Sequence, residues 1–256
     1  MSTEALKERM SGKLQAQSES TAGEASTSLA VVSDSNYVAL ASDAMGIIND
    51  NLKHQQLSQA LFDVVKAPSG GITSFSVPGL SGDEMEKELT GIILDYTTPR
   101  AYWDTPDPVE GTPPNCWSKD SVISHEGKPC SQCPFNDFGS KNGGETNAKA
   151  CKESVAIYLL RPHSIMPIIL RVPVSSKLLF LKYATRLVGN MMPLSSVVTK
   201  ITLEKAVSKT GQPYALYSFE AVQQLGPDEA AAAKAFGQRF MEILNAADMS
   251  VIAEAV

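Results

Sequence analysis

The spacing of apolar residues divides the chain into a helical first part and a strand-rich middle. From Asn36 to Lys66 apolar side chains recur every three or four residues, which predicts helix in two pieces. After Gly70 and Gly71 the period falls to two, and the apolar runs predict at least six strands. The strand candidates are residues 89–96, 102–103, 154–160, 165–172, 197–207 and 214–222.

Two further helices interrupt or follow these strands. One is predicted over Ser175–Leu187, with Ser175 as its N-cap and Gly189 ending it. The other is predicted from Pro227 to about Ala247, because proline and two acidic residues suit a first helical turn. The segment 208–213 is predicted as a hairpin loop. Since strands do not alternate regularly with helices, the order favours an α+β fold with a small closed five-stranded Greek-key barrel over a parallel sheet.

The same pattern suggests a domain organisation. Residues 1–35 contain almost no large apolar side chain, so we expect a disordered N-terminal tail. Residues 36–67 form a helical N-terminal segment, 68–222 the barrel with an insert at 113–152, and 223–256 a C-terminal helix and tail. No apolar run approaches the roughly 18 residues of a membrane span, and the N-terminus lacks a signal-peptide layout. We therefore expect a cytoplasmic protein without a membrane partner.

Charge is distributed unevenly along the chain. The formal net charge is −6, which by itself argues against a nucleic-acid binder. Residues 151–210, however, contain nine Lys or Arg against two acidic residues. A solvated lysine-rich surface would explain this segment, and so would a cationic binding site. The basic residues that we consider for such a site are Arg100, Arg161, Arg171, Lys177, Lys182, Arg186, Lys200, Lys205 and Lys209.

All four cysteines fall in one short window: Cys116, Cys130, Cys133 and Cys151. A Cys-x2-Cys pair offers two thiolates from one tight turn, and two flanking cysteines complete a tetrahedral zinc shell. The window is rich in Pro and Gly and poor in aliphatic residues, so metal ligation would supply folding energy that burial cannot. The spacing predicts a structural Zn²⁺ knuckle, with His125 as a substitute for one cysteine left open.

Disulfide bonds and redox chemistry are less well supported as roles for the cysteines. Two disulfides would suit a secreted protein, and a redox-active Cys-x2-Cys would normally open a helix in a thioredoxin-like context. Neither context is evident, and unrelated buried thiols would not be expected to cluster so closely.

Aromatic residues lie close to the cationic segment and the cysteines in the sequence. Such rings stack bases of single strands while Lys and Arg follow the phosphates, although an aromatic residue in a strand is more often core. Tyr102, Trp103 and Trp117 border polar, Pro-rich loops and are the better candidates. The full strip is Tyr96, Tyr102, Trp103, Trp117, Phe135, Phe138, Tyr158, Tyr183, Tyr214 and Tyr217.

Together these features suggest a family. Four segments of the chain resemble bacteriophage-type single-stranded DNA-binding proteins. They are Gly70-Gly-Ile-Thr-x-Phe75, the run from Leu89 to Trp103, the cysteine knuckle with Cys130-Ser-Gln-Cys-Pro-Phe-Asn-Asp-Phe-Gly-Ser140, and Val198–Phe219. The resemblance covers roughly residues 68–222. It implies an oligonucleotide/oligosaccharide-binding (OB) barrel with an inserted zinc knuckle, and non-enzymatic coating of single-stranded DNA.

The resemblance also implies partners and a DNA path. The partners would be replication or recombination proteins, with cooperative self-association, in a bacterial host cell. The DNA path would use Tyr96, Tyr102, Trp103 and basic residues of the later strands, with Tyr158 and Tyr214 as further aromatic candidates. The chain departs from the family in lacking a strongly acidic C-terminal segment with a terminal aromatic residue.

Two other classes of function compete with DNA binding. One is a zinc-containing transcription or polymerase-interacting factor that acts through protein contacts. The other is an enzyme, such as a nuclease that holds magnesium with Asp95, Asp104, Asp107 or Asp137. Because no nucleophile–base pair or phosphate-cradling glycine motif accompanies these acids, we expect no enzymatic activity.

Overall fold

The computed structural model describes residues 31–32, 36–41, 44–53, 55, 57–58, 61–105, 112–141, 147–208 and 211–246. Within these ranges the chain is a mixed α+β protein. Its strands are β1 (Val31–Val32), β2 (Val64–Val65), β3 (Phe75–Val77), β4 (Glu84–Glu86), β5 (Glu88–Thr97), β6 (Arg100–Tyr102), β7 (Cys116–Ser118), β8 (Lys152–Leu160), β9 (Ile168–Pro173), β10 (Val197–Val207) and β11 (Pro213–Leu225). Its α-helices are α1 (Val38–Ala41), α2 (Ala44–Leu52), α3 (Val174–Gly189) and α4 (Pro227–Ala246).

Most of the described strands form one sheet. Strands β11, β10, β5, β8 and β9 are antiparallel neighbours in that order, and β8 is hydrogen-bonded to both β5 and β9. Short parallel strands flank the sheet, with β1 beside β11 and β2 beside β9. Strand β6 pairs with the start of β8 and carries β7 on its other side. Strands β3 and β4 form a separate hairpin.

The central strands are buried on both faces. In β8, Val155, Ile157 and Leu159 belong to one core cluster, while Ala156, Tyr158 and Leu160 belong to the other. Because successive residues of a strand point to opposite faces, the two clusters lie on opposite sides of the sheet. The first cluster includes Phe180, Tyr183 and Leu187 of α3, and the second includes Ala233, Phe240 and Leu244 of α4.

The sheet differs from the predicted five-stranded closed barrel. It contains nine strands, and no pairing among the described residues joins the β2 edge to the β1 edge. The continuous apolar runs of β5 and β8 explain the difference, because strands covered by helices on both faces need apolar residues at every position. The mixed α+β class is confirmed, and the sheet is curled.

Several boundaries follow the sequence pattern and others do not. The structure has β10 over Val197–Val207 as predicted, and Gly211 takes a φ of 83° in the following loop. The helix predicted to reach Lys66 is wrong in its last part, because Val64 and Val65 pair with Ile169 and Leu170 instead. Residues 31–32 of the predicted tail form β1.

The predicted N-cap of α3 is also wrong. The cap residue is Pro173, and it makes no side-chain cap bond. Ser176, one residue after the predicted cap, accepts a hydrogen bond from the backbone N–H of Tyr217 at 3.1 Å. This bond ties the first turn of α3 to β11, so the helix is held by the sheet.

Candidate metal centre and nucleic-acid interface

The cysteine region lies at one end of the sheet, next to β6 and the start of β8. Cys116 begins β7 opposite Tyr102 of β6, Cys130 and Cys133 bracket a 3-10 turn, and Cys151 directly precedes β8. All four cysteines line one cavity of about 480 Å³. We call residues 112–151 the cysteine module.

Backbone hydrogen bonds hold the cysteine turns in place. The N–H of Cys133 donates to the carbonyl of Cys130 at 3.3 Å, as expected for a tight Cys-x2-Cys turn. The N–H of Cys151 donates to the carbonyl of Phe135 at 2.9 Å, so the last cysteine is tied to the turn that carries the middle two. The Asn136 side chain donates to the carbonyl of Cys130 at 2.9 Å. The loops thus present their thiols to a common cavity.

The thiols also influence one another electrostatically. Burial raises the pKa of Cys116, and the charges of Glu126, Cys133 and Cys130 raise it further. Burial raises the pKa of Cys151 to about 12, although the nearby Arg100 guanidinium opposes the shift. Mutual repulsion between closely placed thiolates is relieved when a cation binds among them.

This donor set fits zinc in its chemistry. Four thiols are the number and type of ligand that a closed structural zinc site uses. In the present geometry, no three His, Cys, Asp or Glu side chains of the described ranges lie close enough together to hold a metal ion. His125 is not among the residues that line the cavity, and its ring stacks on Trp117 with centroids 5.4 Å apart.

A buried arginine connects the cysteine module to α3. Arg100 of β6 forms an ion pair with Glu153 at 3.0 Å and donates to Asn136 Oδ1. The other carboxylate oxygen of Glu153 is paired with Lys177 in the first turn of α3. Arg100 and Lys177 were both predicted to contact DNA, and the structure places both in this internal network.

A second, smaller cavity of about 150 Å³ lies beside the first. The rings of Tyr102 and Phe135 stack with centroids 4.0 Å apart and line both cavities. Trp103 lines the second cavity with Lys141 and Lys152, and the Lys152 ammonium is 5.8 Å from the centre of the Trp103 ring. We call Tyr102, Trp103, Phe135, Lys141 and Lys152 the aromatic–lysine face. Asp104 also lines this cavity and offsets part of its positive charge.

The loop that follows Phe135 carries another exposed ring. The side chain of Phe138 is 72% exposed, and the Lys149 ammonium lies 4.4 Å from its ring centre. Trp103 is fixed by a hydrogen bond of 2.9 Å from its indole nitrogen to the carbonyl of Thr112. Rings held rigidly at a surface, with ammonium groups beside them, are suited to stack flat anionic ligands.

The predicted aromatic strip divides into surface and core residues. Tyr158 is fully buried among the residues that α4 covers, and Tyr96 packs edge-on against Phe180 of α3 at 4.9 Å. Tyr183 and Tyr217 are also buried. Tyr214 is half-buried near the start of β11, whereas Tyr102, Trp103 and Trp117 are half-buried in or beside the cysteine module. Burial on both faces of β8 explains why Tyr158 lies in the core.

The predicted cationic residues are also not gathered in one place. The Nη2 atom of Arg161 donates to both carboxylate oxygens of Glu86 at 2.8 Å, and Lys200 pairs with Glu220 at 2.7 Å. Arg171 is buried, and its guanidinium has no hydrogen-bond partner in the described part of the chain. Lys182, Arg186 and Lys205 are exposed, with no ion pair to another described residue. Lys209 lies outside the described residues.

Sequence reasoning left important residues out of the candidate interface. Phe135 and Phe138 belonged to the aromatic strip and Lys152 to the cationic segment, yet none was selected as a contact. Their proximity to Tyr102 and Trp103 depends on the pairing of β6 with β8. The signal in the sequence was that Phe135, Phe138, Lys141, Lys149 and Lys152 all lie within 20 residues of Cys133.

The acidic residues considered for magnesium are spread over different elements. Asp95 is on β5, where burial raises its pKa, Asp104 follows β6, and Asp137 follows a 3-10 turn at Pro134–Asn136. Asp107 lies outside the described residues.

No helix of the described ranges combines the length and apolar character that crossing a bilayer requires.

The chain was compared with known proteins at three levels. No family model, no curated protein and no solved structure matches it. The functional argument therefore depends on the geometry of the chain itself.

Proposed function

We propose that this protein binds single-stranded DNA through the aromatic–lysine face. The observation that carries the proposal is the second cavity, where Tyr102, Trp103 and Phe135 lie beside the ammonium groups of Lys141 and Lys152. Unpaired bases stack on aromatic rings, each contributing about 1–3 kcal/mol, while lysines neutralise the phosphates. Paired bases are stacked inside a duplex and cannot enter such a cavity, so single strands are preferred.

Stacking explains the expected breadth of binding. Every base has a flat face, so a ring surface discriminates little between sequences. We therefore propose coating of single strands with weak sequence preference, as in replication or recombination.

In this proposal zinc has a structural role. Cys116, Cys130, Cys133 and Cys151 would hold the ion, and it would supply cross-links between loops that have little hydrophobic core. Since Tyr102 and Phe135 line both cavities, the position of the cysteine loops determines the position of the rings. We further propose that the curled sheet is an OB-like arrangement that supports the module at its end.

Fluorescence-anisotropy titration with a labelled dT oligonucleotide of about 20 nucleotides and its duplex tests the proposal. Wild-type protein should prefer the single strand. Trp103→Ala should weaken single-strand binding by about 5- to 100-fold, as expected for the loss of one stacked base, and Trp103→Phe should retain most of it. Phe236→Ala on α4 removes a half-buried ring outside this face and should leave affinity unchanged.

Two results would contradict the proposal. One is equal affinity of the wild-type protein for single strand and duplex. The other is equal affinity of the Trp103→Ala and wild-type proteins for the single strand. If the wild-type protein binds neither form below about 10 μM, DNA binding is excluded and the alternative of a zinc-containing protein-interaction factor takes its place.

A further inference from the structure

Helix α3 has a row of apolar side chains on its solvent side. Val174, Leu178 and Val188 are 66%, 60% and 72% exposed, respectively. Leu181 and Thr185 lie between them in the sequence. Leu181 is half-buried and packs against the core, and the Thr185 hydroxyl donates to the carbonyl of Leu181 at 2.8 Å. The row Val174, Leu178, Leu181, Thr185 and Val188 has spacings of four, three, four and three. This is the spacing of the a and d positions in a coiled coil. We call these five residues the outer stripe.

Apart from Leu181, which packs against the core, the outer stripe is distinct from the core-facing side of α3. Ser176, Phe180, Tyr183 and Leu187 are the buried residues of the helix and face the sheet. At 100° per residue, the middle of the outer stripe lies almost opposite the middle of this buried side. A helix with apolar side chains on two opposite sides is normally covered on both, which indicates that α3 receives a second helix.

The charges beside the stripe restrict what that helix is. Lys182 and Arg186 lie four residues apart along one border of the stripe, and both are exposed. Lys177 lies on the other border, where Glu153 neutralises it. From Val174 to Gly189 there is no Asp or Glu. The apolar row is thus bordered by cations and has no acidic residue within its own helix.

These charges disfavour a second copy of this chain as the occupant. In an antiparallel pair of identical helices, the border with Lys182 and Arg186 would face the same border of the other copy. In a parallel pair it would face the border that carries Lys177. The antiparallel arrangement brings cations together, and like charges across a helix pair are destabilising. The parallel arrangement offers Lys182 and Arg186 no free carboxylate, because Glu153 is already paired with Lys177. A partner helix with an acidic border would gain the same apolar contact and complementary charge.

We propose that the outer stripe of α3 docks an amphipathic helix of a partner protein, with apolar residues at heptad spacing and acidic residues on the border that faces Lys182 and Arg186. Leu178 and Val188 fill the seam, and Lys182 and Arg186 select the partner by charge. The proposal does not depend on DNA binding, because the outer stripe shares no residue with the aromatic–lysine face.

A designed peptide serves as the probe. It has about 21 residues, with Leu at a and d and Glu at e and g, and the repulsion between its Glu residues keeps it from pairing with itself. A second peptide has Lys at e and g. Binding to the full chain is measured by fluorescence anisotropy, and the Glu peptide should bind at least about tenfold more tightly than the Lys peptide.

Two double variants locate the site. Leu178→Ser with Val188→Ser should weaken binding of the Glu peptide by at least about tenfold, and both positions are exposed enough for the fold to persist. Lys182→Glu with Arg186→Glu should reverse the preference, so that the Lys peptide binds more tightly. The matched control is Lys234→Glu with Arg239→Glu on exposed positions of α4, which should bind the Glu peptide as wild type does.

Several outcomes would overturn the proposal. They are failure of the wild-type chain to bind the Glu peptide below about 100 μM, and unchanged peptide preference in Lys182→Glu with Arg186→Glu. A concentration-dependent dimer in sedimentation that Leu178→Ser with Val188→Ser abolishes would instead identify the stripe as a self-association surface. Binding to anionic lipid vesicles that the same variant abolishes would identify it as a membrane-contact surface.

Discussion

Residues of the same type have different roles in this protein because different structures cover them. Tyr102 and Tyr158 are both strand tyrosines near the cysteines in sequence, yet Tyr158 is fully buried and Tyr102 lines two cavities. The sequence predicts that both rings lie on strands. It does not predict that α4 covers one face of β8, since that contact joins segments some 80 residues apart.

Arg171 provides a test at this scale. Burial lowers the pKa of its guanidinium to about 10, and no described residue accepts a hydrogen bond from it. Arg171→Met should leave single-strand affinity unchanged and raise the free energy of unfolding by about 1 kcal/mol or more, because an unpaired buried charge is removed. Urea denaturation and anisotropy titration check the two expectations. A large loss of DNA affinity in a folded Arg171→Met variant would instead show that Arg171 contributes to DNA binding.

The cysteines provide a second test. Purified protein should contain about one zinc ion per chain, and Cys133→Ser should lose it because a closed site needs all four ligands. Ser131→Ala, on the same turn but exposed, should retain zinc. Elemental analysis of the two variants measures their zinc content and tests the proposed ligand set. Equal zinc content in Cys133→Ser and wild type would contradict the proposed ligand set.

At the scale of elements, the sequence pattern predicts what local spacing determines. β10, α3 and α4 lie close to their predicted positions because their apolar periods are clear. β2 was missed because a two-residue strand has no period, and its partner β9 is about 100 residues away. Tyr102 and Trp103 of the aromatic–lysine face were predicted as contacts, but Phe135, Lys141 and Lys152 were not. The pairing of β6 with β8 brings the five residues together across the cysteine module.

Gly91 tests how closely β5 packs against β8. A Cβ atom at this position would lie 2.5 Å from the backbone oxygen of Leu160, which cannot move without disturbing the sheet. Gly91→Ala should lower the free energy of unfolding by about 1–3 kcal/mol. Gly189→Ala at the end of α3 meets nothing within 4 Å and should be neutral or stabilising by up to about 1 kcal/mol. Urea denaturation of both variants makes the comparison, and equal stability of the two would contradict the close packing.

For the whole molecule, the cations that the sequence suggested as one site lie on separate surfaces of the fold. The cationic segment 151–210 suggested one site, but Arg161, Lys177 and Lys200 are paired and Arg171 is buried. Of the remaining exposed cations, Lys152 lies on the aromatic–lysine face, Lys182 and Arg186 lie on α3, and Lys205 lies on β10. Charge counted along the chain therefore predicted cationic surface without predicting where it lies in the fold.

The salt dependence of DNA binding should depend on the lysines of the aromatic–lysine face and not on cations elsewhere in the fold. Each neutralised phosphate of a single strand contributes a slope of about −0.7 to the plot of log affinity against log salt. Lys152→Gln should reduce the magnitude of the slope by about that amount, because it removes one phosphate contact. Lys234→Gln on α4 should not change it. Anisotropy titrations at several salt concentrations measure the slopes. Identical slopes for Lys152→Gln and wild type would show that Lys152 does not contact a phosphate.

Photocrosslinking tests the central claim most directly, because it identifies the residues that touch the bases. Protein purified in the presence of Zn²⁺ is irradiated with a single strand that carries 5-iodouracil, and the crosslinked peptides are sequenced by mass spectrometry. The account predicts crosslinks at Tyr102, Trp103 or Phe135, which line the second cavity. Crosslinks confined to β10 and β11, or none above the level seen with duplex DNA, would contradict it.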